Sequence, residues 1–480
     1  MRWIARLLTI AFAQGFYVTR VQHAFIGKAG VDETPTCAAR DREGYVYVGG
    51  FVRSSSVALP DGWLVCLTPT GEVRWMLTPG GMAADHIEDL WVGDSILYFC
   101  GYSGSSLSHP EELPVERRAD FWVGAVEKAT GTLLWQRRWG GPFIDMALSL
   151  CGTSYHTLLI AGLSWHDTLS GVEAVVCVLN ERTGEVLHRL NWGRAPSLIR
   201  RIRPFSFQRS FICIGEQDHR PFIAEIDYLG QIHWRVSLQF HRFPSQLHAL
   251  HITSDGRIIV GGRYGNRWSI AAFTPSGQII WEKLWDRSNM DGTLQALTEG
   301  PEGILYAVGW QYSEELVSSE QRGGEDIWLA ALTKEGHLLW ERGFGGPSDE
   351  RGVAIVPAGD TLFLITAKEN RFSDPSPHKD AWLVILRAVP CSKIPLRLRT
   401  DAPSLQEKAG TPIRFWVELP SSYAVRRVIW DFGDGGTAEG SSVEHIYLLP
   451  GFYSIQVRID FKYGCQEVYP PSFGLKISRP

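Results

Sequence analysis

The sequence predicts an all-β chain whose larger part is a closed ring of repeated four-stranded units. Three observations carry this expectation. No stretch shows the 3.6-residue apolar period of an amphipathic helix. A short apolar strand ending in glycine recurs as YVYVGG (45–50), ILYFCG (96–101), TLLIAG (157–162), SFICIG (210–215), RIIVGG (257–262) and ILYAVG (304–309), with a degenerate seventh copy, TLFLITA, at 361–367. Each copy is followed by two further strands separated by a tight turn, and another apolar strand leads into the next copy. Four-stranded units repeated radially make up a β-propeller, so seven copies predict a seven-bladed propeller spanning 15–390.

In chain order, residues 1–13 (MRWIARLLTIAFA) combine two arginines, the apolar run 7–12 and small residues at 11 and 13. This is the pattern of a secretory signal, with cleavage expected after Ala13. The strand GFYVTRVQHAFIG (15–27) matches the strand that the seventh unit lacks, so it is expected to complete that blade and close the ring. Closure removes exposed sheet edges and predicts a monomer. The second strand of most units opens with an acid and a tryptophan, as in DGWLVCL (61–67) and DFWVGAV (120–126). A TG-type turn then leads to a strand ending in tryptophan, such as TGTLLW (130–135). Ten of the 19 tryptophans fall in these two columns and three more, Trp139, Trp192 and Trp285, follow at the blade exit, where large rings fill the space between blades. An excess that would otherwise suggest a sugar-binding surface is therefore mostly packing.

After Pro390 the repeat stops. Residues 391–480 contain VIWDFGDGG (428–436), His445, Tyr447, Pro450-Gly451 and Tyr453. Trp430 and Phe432 alternate with Asp431 along a strand, and Gly433-Asp434-Gly435 supplies a tight turn. Tyr453, Ile455 and Val457 alternate on a later strand. Order and spacing resemble the PKD (polycystic kidney disease) domain, and the resemblance implies an immunoglobulin-like β-sandwich used as an extracellular adhesion or spacer module. Propeller plus PKD domain resembles exported surface proteins of Bacteroidota.

A net charge of -5 argues against nucleic acid as a partner, and no later stretch is long and apolar enough to span a bilayer. Neither nucleophile-elbow, zinc-helix nor phosphate-loop motifs occur, so no cofactor, metal or catalytic residue is expected. Cys37, Cys66, Cys100, Cys151, Cys177 and Cys213 stand where other blades carry small apolar residues and read as buried thiols. Cys391, at the entrance of the C-terminal domain, and Cys465, in the turn region before its last strand, form a candidate disulfide in an oxidising compartment. His248 and His251, three apart on a strand, are expected on opposite faces as turn or surface histidines.

One column of acids, Asp32, Asp85, Asp145, Asp291 and Asp349, enters the innermost strands. Two readings stand: a charged ring at one channel mouth, or caps of the inter-blade turns. The long loops 103–120, 164–173, 311–326 and 369–380 are candidate ligand loops, with Trp165 and Trp310 as candidate anchors. The resulting expectation is a non-enzymatic secreted or cell-surface protein that binds a protein or a polysaccharide. Alternatives are an envelope assembly scaffold or a propeller enzyme. The enzyme would be polysaccharide-active or a quinoprotein-like dehydrogenase, since EKATGTLLWQRRWG (127–140) and NERTGEVLHRLNWG (180–193) resemble the repeat of quinoprotein dehydrogenases.

Overall fold

In the computed structural model the described residues are 16–27 and 31–479, except 55–58, 82, 105–118, 142, 166–170, 193–195, 206–208, 239–244, 286–290, 301–302, 313–323, 346–348, 359–360, 371–377, 391–393, 395, 421–422, 424 and 462–472. The signal segment 1–13 and the Cys391/Cys465 pair lie outside them, as do most of the four candidate loops. The chain divides into two compact units, 21–385 and 386–480, the second also taking in the residues before 21.

The first unit is built from seven four-stranded antiparallel sheets among the described residues. They are called blades one to seven in chain order. Blade one comprises Asp32–Arg40, Val46–Arg53, Asp61–Leu67 and Val73–Leu77. The innermost strands of the next five are Asp85–Val92, Asp145–Gly152, Ser197–Phe205, Ser245–Ile252 and Asp291–Glu299. Blade seven runs Asp349–Ala358, Thr361–Asn370 and His378–Pro390, and its outermost strand is Phe16–Phe25. The N-terminal strand thus closes the ring, continued by the Ile26 N–H, which donates to the Ala381 carbonyl at 2.9 Å. Each innermost strand neighbours those of the two adjacent blades, blade one against blade seven included.

Apolar side chains hold the blades face to face. Phe99 and Trp122 meet edge-on at 4.8 Å in the cluster between blades one and two, and Ile26, Phe363 and Leu383 belong to the cluster between seven and one. The tryptophan at the outer edge is a second, repeated device. Trp75 of blade one donates its indole N–H to the Lys128 carbonyl of blade two at 2.8 Å, and Trp281 of blade five does the same to Lys334 of blade six at 2.7 Å. The TG turn of the next blade lies on the indole: Gly131 has φ +76, and a Cβ there would come within 2.7 Å of the Trp75 ring. Left-handed backbone and the ring beneath it both require glycine at that turn.

The glycines that end the recurring strand have a different cause. Every innermost strand carries a register shift at the same level, which leaves one residue unpaired between its neighbours. Such a bulge re-aims the backbone, and a carbonyl of the bulged strand is driven toward the facing glycine. A Cβ at Gly101 would stand 1.8 Å from the His86 oxygen, and at Gly162 1.9 Å from that of Met146. Blade seven has Thr366 at this position, opposite Gly352. Because the obstacle is backbone rather than a flexible side chain, Gly162→Ala is expected to lose about 3 kcal/mol of stability by forcing the bulge to move. Urea unfolding compared with Gly141→Ala, which lies outside the sheets and whose added Cβ would meet nothing nearer than 3.6 Å, would measure this. A loss no larger than about 1 kcal/mol would show that the bulge yields freely.

The second unit contains a three-stranded sheet in the order Arg397–Thr400, Pro412–Glu418, Ser442–Ile446. Its five-stranded sheet has the order Gln406–Lys408, Phe473–Ser478, Gly451–Phe461, Val425–Asp431, Thr437–Glu439. Ile413, Phe415, Trp430, Val457 and Leu475 form its core. The DFGDGG turn is held by its own side chains. Asp431 accepts the Gly433 N–H, Asp434 accepts the Gly436 N–H, and both distances are 2.9 Å. His445 contacts Asp434 at 2.7 Å while stacking on Phe432 with centroids 4.0 Å apart, and Tyr447 donates to the Phe432 carbonyl.

Candidate binding channel

The seven bulges have a consequence at the ring's centre. The residue left unpaired in each innermost strand is Thr36, Glu88, Leu148 and Arg200 in blades one to four, then His248, Gln295 and Val353 in blades five to seven. All seven line one cavity of about 380 Å³ on the channel axis. A second cavity of about 370 Å³ continues along the channel and shares Thr36, Arg201, His248, Gln295 and Val353 with the first. The backbone at this level repeats sevenfold, yet the side chains it presents do not.

Counting by twos puts His248 and His251 on opposite faces, at turns or on the surface. Both instead line the channel, because the bulge at His248 inserts one residue and shifts the two-residue alternation. A trace of this is legible in the chain. The buried apolar pairs of the innermost strands are three apart rather than two, as in Ile87/Leu90, Ile199/Ile202, Leu247/Leu250 and Leu294/Leu297. That spacing is the signal of a bulge, and the residue just after the first of each pair faces the channel.

Electrostatics at the ring are asymmetric. Arg200 is paired with Glu216 at 2.9 Å. Arg351, at the rim, pairs with Glu325 and lies over the Trp310 ring at 5.1 Å. Arg201 bonds the Leu148 and Arg200 carbonyls at 2.9 and 3.0 Å and has no ion pair among the described residues. Glu88 accepts no hydrogen bond among the described residues. Burial pushes its carboxyl up to about 7, with neighbouring Asp89 adding to the effect and Arg201 opposing it. Burial, reinforced by Arg200, Arg201 and Arg263, pushes the His248 imidazole down to about 3, so the ring is neutral at physiological pH. Burial and Arg203 act the same way on His251, which falls to about 4 although Glu299 resists.

Behind the ring Asp89, Ser149 and Arg203 tie blades two, three and four together. Arg203 donates to both Asp89 oxygens, at 2.8 and 3.2 Å, and to the Ser149 hydroxyl at 3.0 Å, while the Ile202 N–H reaches that hydroxyl at 3.1 Å. Burial alone would raise the Asp89 carboxyl. Arg203 and Arg201, with the Ser149 hydroxyl, outweigh it and hold Asp89 below the usual carboxylate range.

The entering acids do not share one environment. Asp85 and Asp145 are fully buried between blades. Asp85 accepts the Gly81 N–H at 2.8 Å and pairs with Arg138 at 3.2 Å, and Asp145 accepts the Gly141 N–H at 2.6 Å and the Ser164 hydroxyl. Asp291 is half exposed, 3.6 Å from Arg263. Asp349 lines the cavity rim and accepts the Glu325 N–H at 3.2 Å, and Asp32 opens the first innermost strand. Trp310 lines the cavity, and Trp165 stacks on Phe143 with centroids 5.6 Å apart. The six propeller cysteines are buried free thiols, and burial raises each of them where a shift is resolved. Among the described residues no cluster of three or more His, Cys, Asp or Glu side chains is placed to hold a metal. No helix among them is long and apolar enough to cross a membrane.

Sheets and channel together define the class: a β-propeller followed by an immunoglobulin-like module. Residues 402–469 match the PKD domain family, so that module is a PKD domain. No curated protein matches the chain. Among solved structures, a protein of unknown function from Bacteroides caccae is 14% identical, with 62% of this chain and 93% of that one covered and a TM-score of 0.39. The Myceliophteria thermophila Cps50 (Swd1) β-propeller domain is 13% identical, covering 77% and 99%, with a TM-score of 0.48. Kuenenia stuttgartiensis hydrazine synthase is 13% identical, covering 72% and 95%, with a TM-score of 0.45. The propeller reading rests on the sheets themselves.

Proposed function

We propose that this is a non-enzymatic extracytoplasmic binding protein, secreted or held at a cell surface. Its propeller takes a glycan or protein group at the channel, and its PKD domain acts as a spacer or adhesion module. The observation that carries this reading is the ring of bulged residues, where one repeated backbone position presents seven side chains of mixed chemistry. A ring that served only to pack the propeller would be expected to repeat its side chains as the glycine and tryptophan columns do. A cavity of this size falls within the ordinary range of small-ligand sites, and the PKD match supports an extracellular setting.

A glycan array and a pull-down with the full chain test the reading, run beside Leu148→Trp, which fills the cavity from the ring. Capture by the unaltered protein that Leu148→Trp reduces at least tenfold is the expected result. Capture that Leu148→Trp leaves unchanged would move the binding surface away from the channel. Turnover of a polysaccharide, or of an alcohol with added quinone, would remove the non-enzymatic part of the proposal.

A further inference from the structure

Taking the channel as the binding site, we propose that its ligand is an acidic sugar, a uronic acid unit, whose carboxylate is met by Arg201. Arg201 attracts Asp89 and Glu88 but makes an ion pair with neither among the described residues. Of the arginines around the first cavity, Arg200 and Arg351 are each neutralised by a glutamate, at 2.9 and 2.7 Å. Arg201 touches only carbonyl oxygens among the described residues, and it lines both cavities. A guanidinium bonded only to carbonyls keeps its full charge, and its planar fork matches a carboxylate bidentately.

The rest of the lining suits a sugar. His248 and Gln295, from blades five and six, make no side-chain hydrogen bonds among the described residues and can both donate to and accept from hydroxyls. Trp310, one face of which lies under Arg351, lines the rim beside them. The apolar lining consists of short patches at Pro35, Leu148, Val353 and Ala367, too small to seat the large side chain of a peptide C-terminus.

Glu88 adds a regulatory element. The titratable and charged groups around it are Arg200 and His248 on the ring, Arg201 and Asp89 beside it, Tyr102, Cys37 and Cys100 on the adjoining strands, which burial keeps neutral, and Asp349 and Arg351 at the rim. Asp349 lies four residues from the ring residue Val353, roughly 13 Å along the strand, so its charge acts at the mouth. With its carboxyl pushed up to about 7, mainly by burial, Glu88 is neutral in mild acid and leaves Arg201 free. Above that pH it ionises and competes with the incoming carboxylate. The ligand stays ionised throughout, so affinity falls as pH rises from 6 to 8.

Calorimetric titration of the full chain with glucuronate and galacturonate, against glucose, inorganic phosphate and an N-acetylated dipeptide, decides the matter. A uronate is expected to bind at least tenfold more tightly than glucose at pH 6, and several-fold more weakly at pH 8. Arg201→Gln should lose about tenfold, Arg201→Lys less because it keeps the charge without the fork, and Glu88→Gln should hold the pH 6 affinity at pH 8. Thermal melts confirm that each variant is folded; should Arg201→Gln not fold, the uronate-to-glucose ratio of the unaltered protein decides. Glucose binding as tightly as either uronate overturns the carboxylate, as does Arg201→Gln binding like the unaltered protein. Phosphate or the dipeptide binding more tightly than both uronates overturns the sugar. In each of these cases the channel reading survives if Leu148→Trp still abolishes binding. Failure of every ligand, together with array capture that Leu148→Trp does not disturb, takes both proposals down.

Discussion

Replacing Asp89 by alanine is expected to cost about 3 kcal/mol of stability at pH 7, the largest effect of any single polar change in the propeller. The carboxylate is buried and takes two guanidinium bonds from Arg203, with the Ser149 hydroxyl and the Leu150 N–H also reaching it. Removing one member of a buried pair leaves the other charge without compensation, which typically costs more than the pair contributes. Arg203 keeps some access to solvent, its side chain being 30% exposed, so the cost falls at the lower end of that range. The pH dependence has a definite sign. Asp89 is held below its ordinary value in the folded state. Its contribution is therefore complete above the unfolded carboxylate value near ~3.9 and is lost as pH falls through the folded one. Denaturant unfolding at pH 7 and at pH 3 should show the gap between Asp89→Ala and the unaltered protein narrowing in acid. A gap that widens there would mean that the pair does not act as described.

Trp430→Ala should have an effect of similar size or larger, about 3–5 kcal/mol, in the PKD domain. The indole is fully buried, near Phe415 and Phe432 with centroids at 5.9 and 6.5 Å, and it donates to the Gly440 carbonyl at 2.9 Å. Alanine removes the ring from a small core and orphans that carbonyl. Trp430→Phe keeps most of the buried surface and loses mainly the hydrogen bond, about 1 kcal/mol. Urea unfolding of the two variants should therefore separate by about 2 kcal/mol or more. Equal losses would show that the hydrogen bond, rather than the ring, dominates at this position.

Trp430 and Asp89 differ in how far the sequence reveals them. Trp430 was readable as core because Trp430 and Phe432 alternate around Asp431 within a motif shared with PKD domains. Asp89 carried no sequence signal, since its partners are 60 and 114 residues away in other blades. The candidate site divides similarly. Trp310 and Asp349 were singled out, and both line the channel. Glu88, Arg201 and Gln295 were not, because two-residue alternation assigns faces correctly only until a bulge inserts a residue. His248 shows the cost: counting by twos separated it from His251, and the bulge puts both along the channel.

The sequence by itself determined the all-β character, the four-stranded repeat, the role of 15–27 as the closing strand and the nature of the C-terminal domain. Each follows from local periodicity, turn chemistry or a contiguous motif, and such signals are written along the chain. It also contained the glycine column without its reason. Only the tertiary structure decided that those glycines make room for a backbone carbonyl and that the bulge behind each one turns a single residue toward the axis. It also decided that Arg201, next to the ring residue Arg200, makes no ion pair among the described residues. Those properties depend on what faces a residue across the sheet or across the channel. A chain read in order has no access to that until the ring has closed.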